Sequence, residues 1–91
     1  MQVSYDPIKR QRTLEDRGLD FENAVSVWAG LHFDQVDDRK DYGEVRIISI
    51  GMIGGRMVVL VWTERNDVRH MISMKKANER EQRRYAARLG G

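Results

Sequence analysis

Apolar residues follow two different spacings along the chain. Between Asp20 and Gly30 they recur at i, i+3, i+4, i+7 and i+8, which places them on one face of a helix. In 45–52 (VRIISIGM) and 56–64 (RMVVLVWTE) the apolar runs are nearly continuous, as in buried strands. The pattern predicts a core-anchoring helix in the first third and a sheet in the middle, with 56–64 as a central strand that helices cover on one side.

Start and stop residues bound another helix near the N-terminus. Asp6 suits the N-cap position and Pro7 the first helical position, and Gly18 suits the residue after the last turn. The apolar stripe of this helix is thin, essentially Ile8 and Leu14. We therefore expect it to lie on the surface with its cations in water.

A third helix is predicted at the C-terminal end. Asn78 and Glu81 have the spacing of a capping box, and Gly90-Gly91 would end the helix. Its apolar stripe is narrow and includes Tyr85 and Leu89, and the rest of its surface is rich in arginine. Those arginines form either a solvated face with i,i+4 ion pairs or a basic surface for a partner.

Turn residues divide the sheet region into strands. Gly54-Gly55 and Asn66-Asp67 predict tight turns between antiparallel strands. The predicted strands are 31–36, 45–52, 56–64 and 68–75, and residues 3–5 could add a short edge strand. The expected fold class is α+β: two N-terminal helices, an antiparallel sheet of three or four strands and a C-terminal helix, in a single domain spanning residues 1–91.

Charge is distributed unevenly although the net charge is only +2. Residues 1–43 contain six Lys/Arg and nine Asp/Glu, whereas residues 44–91 contain ten and five. A basic second half can hold a phosphate backbone, or the two halves can interdigitate into a mixed surface. The absence of cysteine excludes disulfides and thiolate metal sites. With no apolar run long enough for a membrane helix or a signal peptide, we expect a cytoplasmic protein that does not enter a membrane.

Common catalytic and metal-binding motifs are absent from the sequence. His32 and His70 are far apart, and no H-E-x-x-H motif is present. The acidic loop 34–41 lacks the glycine and terminal glutamate of an EF-hand, and no serine lies in a G-x-S-x-G motif. We therefore expect neither a metal nor a cofactor.

Polar residues at the ends of the predicted strands are the remaining candidates. Strand alternation places Glu44 with Arg46 on one face, and likewise Thr63 with Arg65. Such residues often mark only the point where a sheet meets water. Alternatively they line a basic groove with one carboxylate, which suits metal-independent RNA cleavage. In that reaction a base takes the ribose 2′-hydroxyl proton, cations stabilise the phosphorane and an acid protonates the leaving 5′-oxygen.

Several segments of the chain resemble the BrnT family, the toxins of type II toxin–antitoxin modules. They are DP (6–7), GLDFENA (18–24), DYGEVR (41–46), GMIGGR (51–56), WTER (62–65), ISMKKA (72–77) and EREQRRY (79–85). The resemblance implies a RelE-like ribonuclease toxin that inhibits translation. It also implies a cognate antitoxin with a ribbon-helix-helix domain, so that contact with DNA is only indirect, through that antitoxin.

Three positions depart from the pattern of the family. Arg17 stands where a histidine is usual, His70 falls at the usual arginine of the third long strand, and Lys75 replaces the usual arginine before the last helix. Lysine keeps a point charge but loses planar, bidentate contact with phosphate. Two functions therefore remain open: an active ribonuclease, or a degenerate module that binds RNA or antitoxin without cleavage.

The expected site follows from the residues that match the family and from their neighbours. Glu44 or His70 would accept the proton, and His70 is the more natural group because its unperturbed pKa is about 6.5. A lone histidine in a strand is, however, often structural. The expected catalytic residues are Glu44, Arg46, Arg65, His70 and Lys75, and the expected RNA contacts are Thr63, Arg69, Lys76 and Tyr85.

Overall fold

The computed structural model describes residues 2–90, so Met1 and Gly91, the ends of the predicted domain, lie outside it. A 3-10 turn at Phe21–Asn23 precedes the second helix, and another, Ala86–Leu89, follows the third and stops at Gly90. The helices are α1 (Pro7–Arg17), α2 (Ala24–Ala29) and α3 (Glu79–Tyr85). The strands are β1 (Val3–Ser4), β2 (Phe33–Val36), β3 (Ile47–Ile53), β4 (Arg56–Arg65) and β5 (Val68–Lys76).

The strands form one mixed sheet in the order β1-β5-β4-β3-β2. The α+β class is confirmed, and β2 to β5 are antiparallel as predicted. The possible edge strand at residues 3–5 is present as β1, but it is a fifth strand and parallel to β5, so the expectation of a purely antiparallel sheet of three or four strands is wrong. Alternation could not show this, since β1 has two residues and is held by long-range contacts such as Arg69 N donating to Gln2 O at 3.2 Å.

The first predicted helix is confirmed, whereas the second is interrupted. α1 has Asp6 as its N-cap and buries none of its residues. The 3-10 turn that precedes α2 is capped by Asp20 and has about three residues per turn, which shifts the phase of the buried positions. Val27 is consequently buried, whereas Val25, which the helical spacing placed in the core, is 41% exposed.

One face of the sheet is closed by the N-terminal part of the chain. Leu60 and Trp62 of β4 lie on this face, together with Met74 of β5. Phe21 and Trp28 pack on them, and all five side chains are buried. We call this side the tryptophan face. Together with the partial cover of the opposite face, its burial accounts for the continuous apolar run of β4.

The opposite face is only partly covered, and we call it the groove face. Val59 of β4 and Ile50 of β3 form its apolar base, and Tyr85 of α3 packs over them. The capping box of α3 is formed as predicted, with Glu81 N donating to Asn78 and Asn78 N donating to Glu81. Because α3 is only seven residues long, it leaves a groove on part of this face, although Val59 and Val61 of β4 are themselves buried.

A buried serine joins two tryptophans inside the tryptophan face. Ser49 Oγ accepts from Trp28 Nε1 at 3.1 Å and from Trp62 Nε1 at 2.7 Å. It donates in turn to Asp34 Oδ1 at 2.6 Å. The two rings meet edge to face with centroids 5.7 Å apart. The hydroxyl therefore satisfies two indole N–H groups that would otherwise be buried without an acceptor.

A β-bulge in β5 changes which residues share a face. Val61 is opposite Ser73 and Trp62 is opposite Met71, so Ile72 is an extra residue with no partner in β4. Strict alternation would place residues 70 and 75 on opposite faces. The bulge places both on the groove face, and this arrangement is needed for the site described next.

Candidate functional site

Four of the predicted catalytic residues meet at one end of the groove face. Thr63 and His70 are directly opposite each other in the β4–β5 ladder, and Arg65 follows two residues along on the same face. Arg65 Nη2 donates to both carboxylate oxygens of Glu44, at 3.0 and 3.3 Å. Thr63 Oγ1 donates to the carbonyl oxygen of Val45 at 2.7 Å. This bond fastens the segment that carries Glu44 to the end of β4. We call Glu44, Arg46, Thr63, Arg65 and His70 the histidine cluster.

The surroundings of His70 favour the neutral form of its imidazole. Burial lowers the pKa of His70, and the positive charges of Arg65 and Lys9 lower it further, while Glu44 opposes them. The ring is therefore neutral at neutral pH. Its Nδ1 lies 2.8 Å from Ser4 Oγ. In the tautomer with the hydrogen on Nδ1, Nδ1 donates a hydrogen bond to Ser4 Oγ, and the lone pair of Nε2 is left to accept a proton.

Glu44 is less suited to proton transfer. The hydrogen bond from Arg65 is the main cause that lowers the pKa of Glu44, and burial opposes it only partly. The carboxylate therefore stays ionised and holds a proton weakly. The two proton acceptors expected from the sequence therefore differ: the pKa of His70 is lowered by burial and nearby cations, and the carboxylate of Glu44 is bound to Arg65.

The loop between β2 and β3 holds Arg46 in place. The Arg46 guanidinium lies 4.0 Å from the ring centroid of Tyr42, and the backbone carbonyl of Arg46 accepts from Asp37 N at 2.8 Å. The buried carboxylate of Asp37 accepts from Nε and Nη2 of Arg39, each at 2.7 Å. This pair, opposed by burial, lowers the pKa of Asp37 to about 2. Sequence reasoning missed Asp37 and Tyr42 because a charged loop has no periodicity to indicate which residue turns inward.

Lys75 does not lie in the histidine cluster. It is opposite Val59, four positions along β4 from Thr63, which corresponds to roughly 13 Å. Its Nζ lies 3.0 Å from the carboxylate of Glu81. Burial tends to raise the pKa of Glu81, but the amide of Asn78 and the charge of Lys75 outweigh it, so the pKa is lowered. The pair is therefore charged on both sides.

A groove of about 510 Å³ occupies the part of the groove face around Lys75. Ile48, Val59 and Val61 lie along its base. Cations from four segments of the chain line its sides, together with Tyr85 of α3. The cations are Arg17, Arg39, Lys75 and Arg84, and the carboxylates of Asp37, Asp38 and Glu81 also line the groove. Of the predicted RNA contacts, Tyr85 lies in this groove and Thr63 in the histidine cluster.

Arg69 and Lys76 lie on the tryptophan face, away from the other candidates. Arg69 is opposite Glu64, and its guanidinium lies 4.6 Å from the ring of Trp28 and 4.3 Å from that of Trp62. Lys76 is opposite Val58, also on the tryptophan face. The stacking of Arg69 on two rings gives it a packing role. The structure thus brings seven of the nine predicted residues to one face and leaves these two on the other.

Within residues 2–90, no group of three or more His, Asp or Glu side chains could hold a metal ion. The fold and the site together define a small α+β protein that presents an imidazole, carboxylates and several cations on one face of a mixed sheet. The model of the family described as "Ribonuclease toxin, BrnT, of type II toxin-antitoxin system" matches residues 5–81. The chain therefore belongs to the BrnT family of ribonuclease toxins, which confirms the resemblance and implies an antitoxin partner.

Three further findings accompany the match. No curated protein matches the chain. The family match includes every residue of the histidine cluster but ends at Glu81, before Arg84 and Tyr85. In the part of the chain that the structure describes, no helix is long and apolar enough to cross a membrane.

Proposed function

We propose that the chain is a metal-independent endoribonuclease whose reaction centre is the histidine cluster. The observation that carries this proposal is a neutral, half-buried imidazole opposite Thr63, on the same open face as Arg65 and its bound carboxylate Glu44. A neutral base beside a guanidinium is the combination that cleavage of RNA requires at neutral pH.

The reaction would proceed by attack of the substrate's own hydroxyl. His70 Nε2 removes the proton of a ribose 2′-hydroxyl, and the 2′-oxygen forms a bond with the adjacent phosphorus. Arg65 and Arg46 stabilise the negative charge of the phosphorane. The bond to the 5′-oxygen then breaks, and this oxygen takes a proton from solvent. The products are a 2′,3′-cyclic phosphate and a 5′-hydroxyl end.

The partners follow from membership of the family. The toxin would be inhibited by a cognate antitoxin of the ribbon-helix-helix type, and it would contact DNA only through that antitoxin. A RelE-like inhibition of translation in the cytoplasm is the corresponding biological setting. A neighbouring gene for a short ribbon-helix-helix protein is the expected genetic context.

Cleavage of purified RNA in the presence of EDTA tests the mechanism. We expect cleavage to persist on chelation, to leave cyclic phosphate ends and to fall by at least about 100-fold in His70→Ala, because general base catalysis contributes roughly 10²- to 10⁴-fold. His32→Ala is the matched control, since His32 lies outside the cluster, and it should keep its activity. Full activity of His70→Ala, or loss of activity in EDTA, would reject the mechanism.

The second candidate function is binding without cleavage. It is favoured by the position of Lys75, which lies roughly 13 Å from His70 and is paired with Glu81. Growth arrest on expression, relieved by the antitoxin, is expected of the enzyme. A protein that binds RNA or antitoxin but neither arrests growth nor cleaves RNA is the degenerate module.

A further inference from the structure

The floor of the groove is apolar, and the volume of the groove is large enough for one nucleobase. Ile48 and Val61 are directly opposite each other in the β3–β4 ladder, and Val59 lies two residues along on the same face. Tyr85, which packs on Phe33 with ring centroids 5.3 Å apart, bounds the groove at one side. The volume of about 510 Å³ is within the usual range for small-molecule sites, roughly 300–1,000 Å³. A groove with an aliphatic floor and an aromatic wall favours the binding of a flat, weakly polar ring.

Some of the cations around the floor of the groove already have a carboxylate partner, and others do not. Lys75 is paired with Glu81, and Arg39 is bound to Asp37. Arg84 forms no ion pair among residues 2–90, although its charge contributes to the lowered pKa of Glu81, and its guanidinium lies 5.9 Å from the ring centroid of Tyr85. Its guanidinium is therefore available to an anion.

Arg17 supplies a second incompletely used guanidinium. Its Nη1 donates to the carbonyl oxygen of Met74 at 2.8 Å, which anchors the end of α1 over β5. This bond uses one of the five donors of the side chain, and its planar fork suits a phosphate oxygen. An apolar floor bordered by Arg84 and Arg17 has the chemistry that recognises a nucleotide.

The groove and the histidine cluster lie on the same face of β4. Val61 at its base is followed on the same face of β4 by Thr63, the partner of His70. Lys75 and His70 are separated by four positions of β4, roughly 13 Å. At the stacked rise of about 3.4 Å per nucleotide, roughly four nucleotides span this distance, and fewer do so if the strand is extended. A mononucleotide cannot occupy both places.

We propose that the groove is a second nucleotide subsite, which binds an unpaired nucleotide of the same RNA strand that is cleaved at the histidine cluster. This inference rests on the proposed function for the identity of the ligand. A base that lies on the aliphatic surface must be free of its pairing partner, so the substrate is single-stranded. The subsite also sets a minimum length, because a strand must reach from His70 to Arg84.

Kinetics on oligoribonucleotides of increasing length test the subsite during catalysis. We expect kcat/KM to rise about tenfold or more once the strand is long enough to enter the groove, and duplex RNA to be cut poorly. Arg84→Ala should remove this gain by raising KM with little change in kcat, because the contact is remote from the reacting bond. Arg80→Ala is the matched control, since Arg80 carries the same charge on the same helix but does not line the groove. An equal gain with length in Arg84→Ala would overturn the inference.

A binding measurement separates this inference from the proposed ribonuclease activity. Fluorescence anisotropy with an uncleavable 2′-O-methyl oligonucleotide needs no chemistry. Arg84→Ala should weaken binding several-fold and reduce the slope of log K against log salt by about 0.7, the value for one phosphate contact on a single strand. Arg80→Ala should leave both unchanged. Arg84 is exposed, so its replacement should not unfold the chain.

The two proposals can fail separately in these experiments. Suppose that the protein cleaves no RNA, but that binding depends on oligonucleotide length and this dependence is lost in Arg84→Ala. This result supports the subsite and rejects the ribonuclease. Cleavage that depends on His70 with binding that is unaffected by Arg84→Ala rejects the subsite alone. If the oligonucleotide does not bind and antitoxin affinity alone falls in Arg84→Ala, the groove serves the antitoxin and the subsite is also rejected.

Discussion

Replacement of Ser49 by alanine tests the packing that supports the whole sheet. The substitution deletes one buried hydroxyl and leaves Trp28 Nε1 and Trp62 Nε1 without the acceptor they share. Each buried, unsatisfied N–H costs about 1–3 kcal/mol, so we expect a loss of roughly 2–5 kcal/mol in the free energy of unfolding. For a chain of 91 residues, whose total stability is about 5–14 kcal/mol, this is a large fraction.

Urea denaturation followed by circular dichroism gives the required measurement. The midpoint should fall while the slope m stays the same, because the surface exposed on unfolding is unchanged. A loss of 2 kcal/mol corresponds to a fall in melting temperature of about 8–16 °C for a domain of this size. Circular dichroism in the far ultraviolet is preferable to tryptophan fluorescence, since the substitution changes the surroundings of both indoles directly.

Ser26→Ala is the matched control for this experiment. Ser26 lies on the exposed side of α2, so its replacement deletes the same atom without leaving a buried donor unpaired. It should change stability by less than about 0.5 kcal/mol. If Ser49→Ala were no less stable than Ser26→Ala, the serine would not serve as the acceptor that the structure indicates, and the account of the tryptophan face would be wrong.

Three further outcomes are expected. Gly51→Ala should lose about 1–3 kcal/mol of stability in the same assay, because a Cβ at this position would lie 2.7 Å from Val27 Cγ1. The pKa of Asp37 is lowered from 3.8 to about 2, so the ionised carboxylate stabilises the fold fully above pH 4 and loses this effect as the pH falls towards 2. When the free energy of unfolding is measured across that interval, the difference between the wild type and Asp37→Asn should shrink. Because burial and Arg65 lower the pKa of His70, the rate of cleavage should rise with pH through a midpoint below 6.5, and Arg65→Ala should move this midpoint upwards. A midpoint that does not move would remove His70 from the role of base.

Local signals predicted most of the helices, turns and long strands. Asp6 and Gly18 bound α1, and the turn at Asn66-Asp67 has φ angles of 53° and 63°, as a two-residue hairpin loop requires. These features depend on a few neighbouring residues, which is why sequence was sufficient. The parallel pairing of β1 depends on contacts between residues more than 60 positions apart, and no local pattern encodes it.

The site was predictable only where strand alternation holds. Alternation placed Thr63 and Arg65 together, and Glu44 joins them through Arg65. It could not place Lys75 at the far end of the same face, since that depends on how the register of β4 and β5 runs. Nor could it find the groove, because its arginines come from α1, a loop and α3, and their convergence is a property of tertiary packing.

The extra residue in β5 has a consequence for how this chain tolerates insertions and deletions. Removing Ile72 would join Met71 directly to Ser73 and restore a regular ladder in which every residue of β5 keeps its partner in β4 and its face. His70 would therefore stay on the groove face, and Arg69 would stay on the tryptophan face. A single codon deletion at this point would thus remove the irregularity and leave the side chains of the proposed reaction centre on the same side of the sheet.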